Sequence, residues 1–148
     1  MLEVDLPAEP LSATRARRAV LEALRDVAVD RDAVSVVVTE AVTNAVLHAY
    51  RDREPGQVHV RAALEDDGVE IAVADDGMGL RPRPDSPGVG LGMPLIADLA
   101  DRVEITHGHP GTRICAHFAL MGPAGPHGLA VRGGGRAERR TARLLAHA

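Results

Sequence analysis

An alternating strand pattern, Val69, Ile71 and Val73, runs without a break into Asp75-Asp76-Gly77-Met78-Gly79-Leu80. A strand ending on two carboxylates and two closely spaced glycines carries an acid to the edge of a sheet. The glycines then let backbone approach whatever that acid holds. Asp-Gly is also an ordinary turn dipeptide, so two other segments give the pattern its weight. Upstream lies a helical stretch whose only internal charge is Glu40, with Asn44 one turn later. Downstream, Gly88-Val89-Gly90-Leu91-Gly92 opens another helix. An acid at a strand end, an acid–amide pair on a helix and glycines at a helix N-terminus together describe a nucleotide pocket.

The remaining pattern supplies a frame for these pieces. Leu2 to Leu6 alternates weakly, as an edge strand would. Ser12 is the predicted N-cap of a helix to about Val27, with Val20, Leu21, Leu24 and Val27 on its apolar side. Asp30 or Asp32 caps a second helix to about Tyr50. Val58, Val60, Ala62 and Leu64 alternate, Asp66-Asp67-Gly68 turns, and the strand from Val69 returns, so the pair reads as a hairpin. Residues 80–90 are rich in Pro, Arg and Gly and read as a mobile loop. A helix from about Leu91 to Ala100 follows, with Leu95, Ile96 and Leu99 apolar. Val103 and Ile105 form a strand, His107 to Gly111 a turn, and Arg113 to Leu120 a last strand, on which Cys115 is expected to fill the core. The order β-α-α-β-β-α-β-β predicts an α+β fold: a two-layer sandwich with a mixed, mostly antiparallel sheet and helices on one face.

Composition narrows the chemistry. A chain of 148 residues is most simply one domain. Tyr50 and Phe118 are its only aromatics, so the core is aliphatic and base-stacking readers of single strands are disfavoured; no direct nucleic-acid partner is expected. A single cysteine excludes an intramolecular disulfide and fits a reducing cytosol. No apolar run approaches membrane-spanning length, so a cytoplasmic location is expected. All 17 basic residues are arginine. Without lysine, P-loop enzymes and eukaryotic-type protein kinases are excluded, and phosphates must be met by backbone amides, a metal and arginine. From Gly122 onward the chain is Gly-, Pro- and Arg-rich, with five arginines against one glutamate, whereas the whole chain has a net charge of −4. Residues 1–121 are therefore read as the folded domain and 122–148 as a disordered tail.

The second helix can be read by angle. At 100° per residue Val34, Val38, Ala41, Val42, Ala45 and Ala49 share the core side, and Ser35, Thr39, Thr43 and Tyr50 face solvent. Glu40 and Asn44 fall on a shoulder beside Val36, Val37 and Leu47, with His48 one turn further. A lone carboxylate in an apolar flank is a candidate base.

Glu40-Ala41-Val42-Thr43-Asn44-Ala45, Asp75-Asp76-Gly77-Met78-Gly79, Gly90-Leu91-Gly92-Met93 and Gly111-Thr112-Arg113 occur in that order. Together they resemble the N, G1 and G2 boxes and closing Gly-Thr of the GHKL (Bergerat-fold) ATPases, the group of gyrase, heat-shock chaperone, histidine kinase and mismatch-repair ATPases. Within it the chain is most similar to the anti-sigma factor serine/threonine kinases. The phrase Glu40 to Ala45, the short Gly79–Gly90 spacing and Leu99-Ala100-Asp101-Arg102-Val103-Glu104-Ile105 carry that likeness. The resemblance spans about residues 3 to 120.

It implies ATP and Mg²⁺ as cofactors, Glu40 as general base and Asn44 as the magnesium ligand. Asp75 would accept from the adenine amino group, with Thr112 supporting it. His48, Gly77, Met78, Gly79, Gly88, Gly90, Leu91, Gly92 and Met93 would complete the ATP-binding set. It further implies a sigma factor and an anti-anti-sigma antagonist as partners, and a homodimer. Kinase members often carry a basic residue where Pro87 and Gly88 stand here, with Arg81 and Arg83 the nearest arginines. A module that binds ATP and sequesters a partner without phosphorylating it is the alternative reading.

Overall fold

A computed structural model of the chain describes residues 1–49, 54, 56–77, 92–108 and 111–122. Five strands form one sheet: β1 (Leu2–Pro7), β2 (Gln57–Glu65), β3 (Gly68–Asp75), β4 (Arg102–His107) and β5 (Thr112–Ala119). Their spatial order is β1-β2-β3-β5-β4. Every neighbouring pair is antiparallel, so the sheet is not mixed among the described strands. Three helices, α1 (Leu11–Ala23), α2 (Arg31–Asn44) and α3 (Gly92–Leu99), pack on one face, α2 lying between the other two. This is the expected two-layer α+β architecture.

Strand parity decides which residues meet the helices. Val58, Val60 and Ala62 of β2, Val69, Ile71 and Val73 of β3, and Ile114, Ala116 and Phe118 of β5 enter one continuous core with Val34, Val37, Val38, Ala41 and Val42 of α2. Each buried large aliphatic side chain there contributes about 1.5–3 kcal/mol. Cys115 has the opposite parity. It lies half-buried on the outer face, opposite Ala72 and Glu104, and its Sγ accepts from Arg113 Nε at 3.2 Å; the expected core position is wrong.

The helix ends depart from the sequence reading in instructive ways. Ser12 is not a cap but the second residue of α1. It is fully buried, and its hydroxyl donates to the Pro7 carbonyl, tying β1 to the helix. The helix stops at Ala23, four residues before Val27, where Arg31 Nη1 reaches back 2.9 Å to the Leu24 carbonyl. Asp30 does cap α2, accepting from the Ala33 N–H at 3.0 Å. Ser35, Thr39 and Thr43 are half-buried, whereas Val36 and Leu47 are exposed. In α3 Ile96 is buried but Leu95 faces outward. Past Asn44 the helix widens into a π-helical turn, Ala45–Ala49.

Tyr50, the segment from Met78 to Leu91 and the tail from residue 123 onward lie outside the described residues, as do the readings made for them. Among the described residues no helix is long and apolar enough to cross a membrane.

Candidate functional site

The expected site residues gather in two clusters, one where β3 stops and one between α2 and α3. The first centres on Asp75, the last residue of β3, which is 9% exposed. Its Oδ1 accepts from the Gly77 N–H at 3.0 Å and from the Thr112 N–H at 3.3 Å. Burial pushes the Asp75 carboxyl above the ordinary aspartate range; the two amide donors oppose that rise and the neighbouring Asp76 charge adds to it. Both of these donors reach the same oxygen, Oδ1. The backbone N–H of Thr112, a residue that the resemblance implies supports Asp75, is thus one of the two donors.

Gly111, read from sequence as the end of a turn and the first residue of the closing Gly-Thr, was not counted among the site residues. Its φ is +76°, and a Cβ built there would stand 1.8 Å from the Asp75 carbonyl oxygen and 2.8 Å from Asp75 Oδ1. Only glycine allows β5 to start this close to the acid. The available signal was a glycine immediately before Thr112.

The second cluster joins α2 to α3. Glu40 and Asn44 are half-buried and one turn apart on α2. A Cβ on Gly92, the first residue of α3, would lie 3.0 Å from Asn44 Nδ2, 3.2 Å from Asn44 Oδ1 and 3.2 Å from Glu40 Oε2. The carboxylate and the amide therefore converge on the point where α3 begins, and the missing side chain leaves room there. Met93 adds a contact, its Sδ lying 3.8 Å from Asn44 Nδ2.

The π-helical turn that follows Asn44 packs against β3, the strand that ends on Asp75. Widened turns of this kind often occur at functional sites. Of the residues expected to bind, Glu40, Asn44, Asp75, Gly77, Gly92, Met93 and Thr112 are thus assembled into these clusters. Met78, Gly79, Gly88, Gly90, Leu91 and the side chain of His48 lie outside the described residues.

Residues 6–118 match the histidine kinase-like ATPase domain. The chain belongs to the histidine kinase-like ATPase family. Among its relatives, an anti-sigma F factor of Heyndrickxia coagulans is 38% identical over 99 residues, covering 57% of this chain and 67% of that protein. The serine-protein kinase RsbW of Bacillus velezensis is 32% identical over 118 residues, covering 70% and 73% of the two chains. Several other anti-sigma F factors match over little more than half of their length. The solved structure of the RsbU and RsbW domains of a Mycobacterium tuberculosis protein superposes with a TM-score of 0.63 at 25% identity, over 84% of this chain and 34% of that one. Asp75, Glu40 and Asn44 therefore stand in an ATPase fold whose named relatives include anti-sigma factors and a serine kinase.

Proposed function

We propose that this protein is a cytoplasmic anti-sigma factor and ATP-dependent serine/threonine kinase that phosphorylates an anti-anti-sigma antagonist and otherwise sequesters a sigma factor, acting as a homodimer. The convergence of Glu40 Oε2 and the Asn44 amide on Gly92 carries the reading. It supports a base and an oxygen ligand side by side, next to the helix that would meet phosphate oxygens.

Asp75 Oδ2 would accept from the exocyclic amine of adenine, a group at that ring position that guanine replaces with a carbonyl. Asn44 Oδ1 suits Mg²⁺, a hard cation that takes one or two protein oxygens and completes its shell with water and substrate phosphates. When bound, that ion neutralises phosphate charge. Glu40 would take the proton from the antagonist's serine hydroxyl as that oxygen bonds to the terminal phosphorus. The bond from phosphorus to the bridging oxygen breaks, and ADP leaves.

Replacing Glu40 with Gln preserves the shape and removes the proton acceptor. ATP affinity should then change little, while transfer from labelled ATP to the antagonist's serine falls about a hundredfold or more. Equal transfer by wild type and Glu40→Gln would refute the assignment of the base. The Pro87-Gly88 pair, where kinases of this kind often carry a basic residue, favours a second reading in which ATP is a structural ligand. Tight sigma-factor binding with no transfer to any antagonist would select it.

A further inference from the structure

The contact between Asn44 and Met93 suggests a further role. A carboxamide has a donor end and an acceptor end, and a half-turn about its last bond exchanges them. A thioether sulfur accepts weakly and cannot donate. Met93 Sδ lies 3.8 Å from Asn44 Nδ2, so the sulfur favours the rotation with nitrogen toward α3 and opposes its reverse, which would set two lone-pair atoms against each other. The absence of a side chain at Gly92 lets the first turn of α3 come close enough for this.

We infer that Met93 is a positioning residue that sets the rotation of the Asn44 amide and so presents Oδ1, not Nδ2, to the divalent cation. The inference rests on Asn44 as the cation's ligand. It assigns Met93 a task distinct from contact with ATP: choosing which end of the amide faces the metal.

Leucine at position 93 keeps most of the volume and removes the acceptor. The test is calorimetric titration of ATP, with Mg²⁺ and in EDTA, into the full-length protein. The Mg²⁺-dependent gain in affinity should fall about tenfold in Met93→Leu, the low end for residues that orient a metal ligand. Any contact of Met93 with ATP itself would lower both affinities alike and cancels from that ratio; the melting temperature should not move. In an Asn44→Asp background both terminal atoms are oxygens and no rotation remains to be chosen, so adding Met93→Leu should change the gain less than about twofold.

A Met93→Leu protein with the wild-type Mg²⁺ gain would overturn the inference while leaving Asn44 as ligand. The same loss in the Asn44→Asp background, or an equal loss in EDTA, would also overturn it by showing a packing effect. A wild-type protein with no Mg²⁺ gain would remove both the ligand assignment and the inference. Should Asn44→Asp bind no nucleotide, the two Asn44 side-chain amide proton resonances give a second reading in the nucleotide-free protein. Met93→Leu should shift the resonance of the proton that faces the sulfur and hasten its exchange with solvent; unchanged resonances would overturn the inference.

Discussion

Replacing Asp75 with Asn separates binding from folding. Both backbone donors, Gly77 N–H and Thr112 N–H, reach Oδ1 at 3.0 and 3.3 Å, and an asparagine keeps an oxygen in that place. The atom that changes is the other one, where an amide NH₂ replaces Oδ2 and, under the proposed function, would point a donor at the amine of adenine. A hydrogen bond to a charged group contributes about 1.5–3 kcal/mol, so ATP affinity should fall about 10- to 150-fold. Folding should not suffer. Burial is the largest influence on the Asp75 carboxyl and disfavours its ionised form, so a neutral isostere removes a desolvation cost and the melting temperature should hold or rise. Calorimetric titration with ATP and GTP, beside thermal melts of both proteins, tests the two halves separately. Wild type should prefer ATP by at least about tenfold, or roughly 1.4 kcal/mol, and Asp75→Asn should lose that preference. Equal affinity of wild type for ATP and GTP, or unchanged ATP affinity in Asp75→Asn, would refute the placement of adenine at Asp75.

Gly111→Ala should be strongly damaging, because its Cβ would stand 1.8 Å from the Asp75 carbonyl oxygen in a left-handed conformation. The conformation alone costs about 1–2 kcal/mol, and displacement of β5 adds to it, so denaturant melts should show a loss above that figure; an unchanged midpoint would contradict the packing described. At the opposite end of the sheet, His117 Nε2 lies 2.8 Å from Asp67 Oδ1 across the hairpin turn. That hydrogen bond is the main reason the Asp67 carboxyl sits below its ordinary range. A lowered carboxyl stabilises the fold above the unfolded pKa and loses that contribution as pH falls through the lowered folded value. The melting-temperature gap between wild type and His117→Ala should therefore narrow below about pH 4, and parallel curves across the acid range would show that the pair contributes nothing.

Most of the frame was legible because its signals are local. The Asp66-Asp67 turn, the parity of Val58 to Val73 and the Asp30 cap depend only on neighbours within a few residues. The misreadings came where tertiary packing overrides local preference. Ser12 looks like a cap, but the Pro7 carbonyl beside it offers a buried acceptor and the helix begins one residue earlier. Val36, Leu47 and Leu95 are apolar and yet exposed; composition alone could not say that the core is filled without them. Cys115 shares its parity with Arg113 and His117, so its outward position could have been read from the strand itself.

The site divides along the same line. Glu40 and Asn44 are one helical turn apart, so their pairing follows from helix geometry alone. That Gly92 and Met93, some fifty positions along the chain, close on that pair is a long-range fact carried by no spacing rule. The lack of lysine gains meaning here. Arg15, Arg25 and Arg61 are engaged with Glu9, with Glu22 and Asp26, and with Glu70, while Arg31 holds the Leu24 carbonyl and Arg113 the Cys115 sulfur. These five arginines have their partners away from Glu40 and Asn44. Under the proposed function, neutralisation of the phosphates then falls to the cation, to backbone amides and to arginines such as Arg81 and Arg83. A site so dependent on the cation should be sensitive to how its one amide ligand is turned, which is why the sulfur of Met93 matters.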